Sequence, residues 1–345
     1  MKRINNLMPL ICNRENIERS ISVVLRGSKR KNTGIFKYIY KDKEKYITKI
    51  IDSIENKTFR LGTYTQLTIK EGIKERDIQI IAYKDRIVVN VIMEVVDQAL
   101  IKRLIFTTAS SIKDRGPHYL KKIIQRDLRN NRNLKYFYKI DINKYYQSID
   151  QGLMRKCIRH YIKDKDVLFF LDMFINMLPQ GLSIGLRSSQ IFGNLFLNWI
   201  LDTKLKNFYK VKYYYRYCDD IVILSDSKRT LWKVHSIIIE LLNGTKLTIK
   251  KNYRVSPISN GIDFLGFVIF SGIYCRVRKR IKIKAKNTLL HIRSYRRRTE
   301  IIASIKGYCL HSNGHNLFNT LINTYNNGVC RKQGYSKHTI YKPCS

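Results

Sequence analysis

The chain has 345 residues, of which 44% are hydrophobic, so it can bury a sizeable core and form two or three domains. Its 66 Lys and Arg residues far outnumber its 26 Asp and Glu residues, which gives a formal net charge of +40. A surplus of this size opposes folding through self-repulsion unless a polyanion neutralises it. We therefore expect a nucleic-acid partner whose binding weakens steeply with salt; a role in solubility alone is the alternative.

Seven cysteines, an odd number without C-x-x-C spacing, argue against a disulfide framework and indicate a reduced, intracellular protein. No apolar run reaches the roughly 18 residues that a transmembrane helix needs. The N-terminal segment becomes charged too early for a signal peptide. We therefore expect a cytoplasmic protein with no membrane partner.

The first 60 residues have the pattern of helices, with Asn13 as an N-cap and apolar residues at helical spacing over 36–56. From Thr63 the pattern alternates, which predicts a β-hairpin. Three cations flank its turn: Lys70, Lys74 and Arg76. Such a hairpin suits a lid over a triphosphate, although a plain charged hairpin is the favoured interpretation of this stretch taken alone.

A strongly apolar stretch over 85–106 predicts a buried helix. A turn at Arg115–His118 follows it, and then a basic helix begins. The start of that helix beside Arg115 is a candidate anion site, because helix N-termini attract negative charge. The cations of the helix recur near every fourth residue and predict one positive stripe: Lys121, Lys122, Arg126 and Arg129.

Residues 137–142 have the pattern of a buried strand, and this strand ends in Asp141. Two aromatic residues, Tyr145 and Tyr146, follow it. Asp150 is expected to cap the next helix.

Helices are predicted over 165–178 and 188–205. Between them, Pro179-Gln180-Gly181 and Gly185 do not suit a helix and predict a loop with accessible backbone. A glycine-rich loop before a helix can bring a nucleotide or a nucleic-acid backbone close to the main chain. Two glycines alone are weak evidence for such a site.

The stretch from Val211 to Ser225 places two adjacent carboxylates, Asp219 and Asp220, between runs of β-branched and aromatic residues. It predicts a hairpin whose turn carries the acids. Carboxylates so close to a core need a partner or a metal, and in so basic a chain they indicate chemistry. Solvated acids in a surface turn are the alternative.

Beyond this hairpin the pattern predicts a helix over 228–243, a strand over 247–255, further strands after a turn at Asn260-Gly261, and basic helices after residue 283. Three residues of types that bind zinc occur near the C-terminus: Cys309, His311 and His315. No ligand quartet has the spacing of a zinc site, so we do not expect one.

Asp141 and Asp219 each end a predicted buried strand. If the strands are neighbours in one sheet, the two acids meet at one edge and repel each other unless divalent cations lie between them. Two cations about 4 Å apart can orient the attacking and leaving oxygens of phosphoryl transfer. Mg²⁺ suits this role, because it takes hard oxygen ligands and keeps substrate phosphates in its shell.

Four motifs, in this order, resemble those of reverse transcriptases: D-I-x-K-x-Y at 141–146, P-Q-G at 179–181, Y-x-D-D at 217–220 and F-L-G-F at 264–267. The resemblance extends over nearly the whole chain. Within that family, I-G-L-R-S-S-Q at 184–190 is similar to the I-G-x-x-x-S-Q pattern of diversity-generating retroelements, where retrons and group II introns usually have S-P.

The resemblance implies roles for individual residues. Asp141 and Asp219 would ligate two Mg²⁺ ions, for which Mn²⁺ could substitute. Asp220 would be the supporting acid, and the Ile142 carbonyl would complete a metal shell. The implied nucleotide-binding residues are Lys74, Arg76, Arg115, Tyr146, Gln180, Gly181 and Lys250, with Lys251 as the alternative to Lys250. The implied template and primer residues are Tyr217, Ile184 and Gln190. Tyr146 would be the steric gate that selects dNTPs.

The implied fold is the α+β right-hand polymerase: fingers over 1–130 interleaved with the palm, a palm of antiparallel sheet and helices over 131–272, and a helical thumb over 273–345. The implied function is an RNA-directed DNA polymerase, encoded by a prokaryote or phage. It would copy template RNA into cDNA with errors at template adenines, and a small basic accessory variability protein would assist it.

Two alternatives remain. One is a reverse transcriptase of a retron or a phage-defence system, which has the same chemistry. The other is a non-catalytic RNA-binding protein on a decayed polymerase fold, against which the intact acids Asp141, Asp219 and Asp220 weigh.

Overall fold

The computed structural model describes residues 2–27, 33–71, 74–272, 274–292 and 294–323. The chain divides into two compact units. The first unit consists of Met1–Lys113, Ile140–Ile221 and Lys233–Tyr253, and the second consists of Asp114–Lys139, Val222–Trp232 and Arg254–Ser345. Two strands that carry predicted catalytic acids contribute residues to both units.

The first unit begins with four helices: α1 (Met8–Ile11), α2 (Arg14–Val24), α3 (Gly34–Lys41) and α4 (Lys43–Glu55). The predicted cap of α2 is confirmed, because the Asn13 side chain accepts a hydrogen bond of 2.8 Å from the Glu15 amide. The strands β1 (Tyr64–Glu71) and β2 (Lys74–Ile81) then form the predicted antiparallel hairpin. Helix α5 (Tyr83–Ile101) is largely buried and ends five residues earlier than the sequence pattern predicts.

Four further helices, the last of which continues into two π-helical segments, complete the part of this unit around the acids. The helices are α7 (Tyr145–Ser148), α8 (Gln151–Tyr161), α9 (Lys165–Ile175) and α10 (Arg187–Leu197), which continues as π-helical turns over Asn198–Asp202 and Lys204–Phe208. Asp150 caps α8 as predicted, with its carboxylate 2.9 Å from the Leu153 amide. The helix expected over 165–178 ends at Ile175, before the loop that contains Pro179.

One sheet of five strands has the order β3-β5-β6-β4-β7. Its strands are β3 (Thr108–Ala109), β4 (Tyr136–Asp141), β5 (Tyr214–Tyr217), β6 (Asp220–Ser225) and β7 (Arg254–Pro257). Strand β3 is parallel to β5, and β7 is antiparallel to β4. Helix α11 (Lys228–Leu242) follows β6, close to the predicted helix over 228–243.

The strand predicted over 247–255 is wrong for most of its length, because β7 begins only at Arg254. Residues 247–250 contact the end of β4 at a single bridge between Ile142 and Ile249. A turn at residues 251–252, where the sequence is the polar pair Lys-Asn, then interrupts the pairing. The alternation of apolar residues continues across this turn, which is why the pattern did not reveal the break.

The second unit contains helix α6 (Pro117–Asn130), a three-stranded antiparallel sheet and two basic helices. The strands are β8 (Ile262–Phe264), β9 (Phe267–Ile269) and β10 (Cys275–Val277), and the helices are α12 (Lys279–His291) and α13 (Tyr295–Leu310). Residues 315–323 are also helical. The core of this region is apolar and joins strand β10 to the helices: Val277, Ala285, Leu289, Ile305, Cys309 and Leu321.

The positive stripe predicted on α6 is wrong in one position. Lys121 is buried, and its ammonium donates to the main-chain carbonyl of His311. It also lies over the ring of Phe267. Lys122, Arg126 and Arg129 are exposed as predicted. The i, i+4 spacing of the four cations does not distinguish a side chain on the buried edge of the helix from its exposed neighbours.

No helix in the described ranges is long and apolar enough to cross a membrane. His311 stacks on His118 with the ring centroids 3.7 Å apart. Within the same ranges, no three His, Cys, Asp or Glu side chains converge as a ready-made metal site, and this holds for Cys309, His311 and His315.

Candidate active site

The hairpin of β5 and β6 carries Asp219 in its turn and Asp220 at the first position of the second strand. Both strands are buried: Tyr214 and Tyr215 in β5 and Ile221–Leu224 in β6 are almost completely covered. Cys218 begins the turn with φ +56°, a left-handed conformation that is uncommon for a residue with a side chain. The apolar strands therefore fix a tight turn from which the acids project.

Strand β4 ends at Asp141, and the Asp141 carboxyl lies near enough to the Asp219 carboxyl to raise the pKa of Asp219. The pKa of Asp219 rises from 3.8 to about 6, first because the group is buried and then because Asp141 and Asp220 repel its negative charge. Two carboxyls so close together cannot both ionise without cost. A proton or a cation is needed between them.

Lys250 supplies one positive charge to this pair. Its ammonium lies 2.5 Å from Oδ1 of Asp141. The main chain holds it there, because the Lys250 amide donates to the Asp141 carbonyl over 2.9 Å. The predicted alternative, Lys251, is exposed in the turn that follows.

The oxygen atoms at this edge fit a divalent cation. Asp141 and Asp219 offer carboxylate oxygens close to each other. Ile142 and Ile249 lie opposite each other in an antiparallel bridge, but the hydrogen bonds of that bridge are made by their neighbours: Asn143 donates to Thr248, and Lys250 donates to Asp141. The Ile142 carbonyl therefore points away from Ile249 and makes no hydrogen bond to it. Mg²⁺ usually takes one or two carboxylates and completes its shell with water and substrate phosphates. This donor set is therefore sufficient without a third converging acid.

Tyr146 lies beside the acids, and its hydroxyl is 3.4 Å from Sγ of Cys218. Burial is the main reason why the pKa of Tyr146 lies well above its ordinary value. Burial also raises the pKa of the Cys218 thiol to about 12, and the neighbouring Asp219 charge adds to this effect. Both side chains are therefore neutral at physiological pH, and Tyr146 lies next to the turn that carries Asp219 as a neutral, buried ring.

The neighbouring Tyr145 has a different environment. It is buried, and its hydroxyl donates to the Gly193 carbonyl over 2.6 Å. Position 145 therefore anchors the short helix α7 to α10, while position 146 contacts the turn that carries Asp219.

The loop that contains Gln180 and Gly181 packs on α7. Gly181 has φ +68°, and a Cβ there would approach the carbonyl oxygens of Tyr146 and Gln147 to 2.7 Å. The Leu182 amide donates to the Tyr146 carbonyl over 2.8 Å. Only glycine suits position 181, and Gln180 is exposed beside it.

A groove of about 300 Å³ lies between the Gln180 end of this loop and the β1–β2 hairpin. Its lining includes two of the predicted binding residues, Gln180 and Ile184, and polar side chains of the hairpin: Gln66, Asp77 and Gln79. At Gly185 a Cβ would lie 1.8 Å from the Gln79 carbonyl oxygen, so the hairpin backbone rests directly on this loop. Ser183 donates to the Gln79 side chain over 2.9 Å.

Arg187 fixes the start of α10 by bonding to α5, through Asn90, Glu94 at 2.7 Å and Asp97 at 3.1 Å. Gln190, one turn further along the helix, is exposed. The loop before α10 is thus fixed by Ser183 at one end and by Arg187 at the other. The predicted template residues Ile184 and Gln190 lie in and just after this fixed segment.

The other predicted binding residues are placed as follows. Tyr217 is half-buried at the end of β5, where it pairs with Ala109. Arg76 is exposed on β2, opposite Ile69. The side chain of Lys74 lies outside the described part of the chain. Arg115 belongs to the second unit. The binding roles of these four residues stay predictions.

A charged pair that the sequence pattern did not reveal lies beneath the acids. Arg216 and Asp202 are both completely buried and bonded to each other, with the closest atoms 2.6 Å apart. The signal was present: an arginine within the apolar strand VKYYYRY and an aspartate within an apolar helix each require a buried partner.

A family model of reverse transcriptase (RNA-dependent DNA polymerase) matches residues 19–269, which include the acids, the loop and both hairpins. The chain belongs to the reverse transcriptase family. The family is that of RNA-dependent DNA polymerases, which are nucleotidyltransferases. Members of the family use divalent metal ions, in agreement with the paired carboxyls of Asp141 and Asp219.

Two solved telomerase structures share the fold of this reverse transcriptase. A telomerase from Candida albicans, in complex with a TWJ fragment of telomeric RNA, has a TM-score of 0.53 and 10% identity, over 85% of this chain and 66% of the telomerase chain. An apo telomerase from Candida Tropicalis has a TM-score of 0.54 and 12% identity, over 80% of this chain and 59% of the telomerase chain.

The predicted α+β, right-hand polymerase fold class is confirmed by the family and by these two structures. The reverse transcriptase spans only about three fifths to two thirds of the length of the two telomerases. No curated protein matches the sequence significantly.

Proposed function

We propose that this reverse transcriptase copies a template RNA into cDNA for a diversity-generating retroelement and misincorporates at template adenines. The observation that carries the polymerase chemistry is the proximity of the Asp141 carboxyl, at the end of β4, to the Asp219 carboxyl in the β5–β6 turn. The proposed division is fingers over 1–130, palm over 131–272 and thumb over 273–345.

In the proposed reaction the primer 3′-oxygen forms a bond to the α-phosphorus of a dNTP and loses its proton. The bond from that phosphorus to the bridging oxygen breaks, and pyrophosphate leaves. Two Mg²⁺ ions, or Mn²⁺ ions in their place, would neutralise and orient the attacking and leaving oxygens. Asp141 and Asp219, with Asp220 and the Ile142 carbonyl, would hold them.

The side chains around the acids would select and position the nucleotide. Tyr146, a neutral ring beside Cys218, would occupy the space of a ribose 2′-hydroxyl and so favour dNTPs. Lys250 is paired with Asp141 and would turn to the leaving pyrophosphate when cations neutralise that acid. Lys74, Arg76 and Arg115 would bind the triphosphate. Gln180 and Gly181 would line the new base pair.

The groove between the Gln180 loop and the hairpin is the proposed path of the template. Ile184 lines this groove, and Gln190 is exposed on helix α10, which follows the loop. Tyr217 would lie near the primer end. The net charge of +40 supports a long nucleic-acid contact, with binding that falls steeply as salt increases. A small basic accessory variability protein would assist delivery of the template.

The retroelement subtype is supported by the segment from Ile184 to Gln190. Arg187 anchors this segment to α5, and Gly185 leaves no room for a side chain against Gln79. The segment therefore has a defined structure in which several positions are constrained.

Sequencing of cDNA made from a defined RNA template with a complementary primer tests the proposal. We expect incorporation that requires a divalent cation, with errors concentrated opposite adenine. Accurate copying at every template base would favour the retron or phage-defence role. No incorporation by a folded protein that still binds RNA would leave a non-catalytic RNA-binding protein.

A further inference from the structure

The side chain of Arg216 lies beneath the turn that carries Asp219, and every one of its donor groups is used. Nε donates to both carboxylate oxygens of Asp202 at 2.9 Å, and one terminal nitrogen donates to Asp202 at 2.6 Å. That same nitrogen donates to the Asn194 carbonyl at 2.9 Å. The other terminal nitrogen donates to the Asn194 side chain at 3.1 Å and to the Cys218 carbonyl at 2.9 Å.

The Cys218 carbonyl is the last main-chain acceptor before Asp219. On its amide side, Cys218 is held by a 3.4 Å bond to the Ala109 carbonyl, and its backbone is left-handed. The guanidinium therefore fixes the peptide plane that links Cys218 to Asp219. That plane sets the direction in which the Asp219 carboxyl leaves the turn.

Stability alone does not explain an ion pair at this place. Replacing a buried ion pair with well-packed apolar residues is often neutral or stabilising, because two charges must be desolvated to form it. A planar fork of five donors can hold an acid, an amide and a turn carbonyl together, which a lysine ammonium cannot do. Asp202 also accepts from the hydroxyls of Tyr214 at 2.5 Å and Thr108 at 3.0 Å, so its own position is fixed from three sides.

We propose that Arg216 is a positioning residue, which holds the Cys218–Asp219 peptide so that the Asp219 carboxyl meets Asp141. Its catalytic consequence rests on the proposed polymerase function. Because a misplacement of about 1 Å can reduce a rate by about a hundredfold, loss of this support lowers turnover far more than it lowers nucleotide affinity.

Arg216→Lys tests the inference, because lysine can still pair with Asp202 but cannot hold the Cys218 carbonyl at the same time. We expect kcat for single-nucleotide incorporation to fall by about tenfold to a hundredfold, with KM for the dNTP nearly unchanged. Binding of Mn²⁺ to the nucleotide-free protein, followed by electron paramagnetic resonance, weakens as well. Should Arg216→Lys fail to fold, the neutral double variant Arg216→Gln with Asp202→Asn is measured in its place.

A control variant separates positioning from general stability. Phe174→Leu creates a cavity in the buried face of α9, away from Asp202 and the turn that carries Asp219. It is expected to lower the melting temperature and to keep kcat and Mn²⁺ binding. The inference is overturned if Arg216→Lys, or the double variant, changes kcat and Mn²⁺ binding no more than this control does. An inactive wild-type protein whose Mn²⁺ binding still depends on Arg216 would contradict the proposed function and leave the positioning role intact.

Discussion

The ammonium of Lys250 lies 2.5 Å from the carboxylate of Asp141, so a lysine offsets the negative charge of one of the two paired acids. Asp141 has a second neighbour, Asp219, whose pKa is raised to about 6. A cation that binds both acids therefore competes with Lys250 for Asp141 and with a proton for Asp219.

Lys250→Met is expected to lower the rate of nucleotide incorporation at saturating Mg²⁺, because no ammonium remains for the leaving pyrophosphate. It is also expected to lower the Mg²⁺ concentration needed for half-maximal rate, because Asp141 loses its competing cation. Titration of the incorporation rate with Mg²⁺ measures both effects. Lys251→Met is the matched control, since Lys251 is exposed in the next turn. Equal effects of the two substitutions would contradict the assignment to Lys250.

Asp219→Asn is expected to raise the melting temperature of the metal-free protein at pH 7, while it abolishes polymerisation. The folded-state pKa of Asp219 is higher than its ordinary 3.8, so the group lowers folding stability as pH rises from about 4 to about 6. Removal of the charge removes this penalty above pH 6. Thermal melts at pH 4 and pH 7 measure it. Asp166→Asn, on an exposed side chain, is the control, and an Asp219→Asn protein that melts lower than wild type at pH 7 would contradict the account.

Mg²⁺ affinity is expected to fall as pH drops below about 6, because a proton then competes for the Asp219 carboxyl. The loss approaches a factor of about ten for each pH unit, since one proton is displaced. The measurement is the half-saturating Mg²⁺ concentration for primer extension from pH 5 to pH 8. A half-saturating concentration that is constant over this range would show that Asp219 does not bind the cation in its charged form.

Tyr146→Ala is expected to let the enzyme incorporate rNTPs, because the ring next to Cys218 no longer occupies the space of the 2′-hydroxyl. Competition between a dNTP and the matching rNTP on one primer measures the selectivity. Tyr145→Phe removes only the bond to the Gly193 carbonyl and should keep the selectivity of the wild type. Unchanged sugar selectivity in Tyr146→Ala would remove the gate role.

Gly185→Ala is expected to weaken binding of the RNA template and to lower the melting temperature, because its Cβ would lie 1.8 Å from the Gln79 carbonyl oxygen and force the hairpin off the loop. Fluorescence anisotropy with a labelled RNA measures the binding. Gly34→Ala, where a Cβ meets no atom within 4 Å, is the control. RNA affinity that is equal in the two variants would argue against the groove as the template path.

Local sequence signals predicted the elements around the acids well. The apolar runs on both sides of Asp219 specify the β5–β6 hairpin, and Asn13 and Asp150 specify the starts of α2 and α8. These features depend on neighbours within a few residues. The family and fold were predictable because ordered motifs such as P-Q-G and Y-x-D-D are themselves local.

Features that depend on distant residues were not predicted. Arg216 and Asp202 form their pair only when helix α10 packs on β5, and each side chain looked like an isolated exception in an apolar segment. Lys121 has the spacing of a surface cation but is buried against His311, far away in the sequence. The alternation of apolar and polar residues continues past Lys251, although the chain turns there and strand β7 begins only at Arg254. In each case the packing partner, which lies far along the chain, decided the outcome.

The most direct test of the account is the rate of incorporation of one dNTP into a primer on an RNA template, compared for wild type, Asp141→Asn and Asp219→Asn at saturating Mg²⁺. The paired carboxyls predict that wild type extends the primer and that each substitution reduces the rate by about a hundredfold or more. Either variant extending the primer at the wild-type rate would contradict a shared cation site at Asp141 and Asp219.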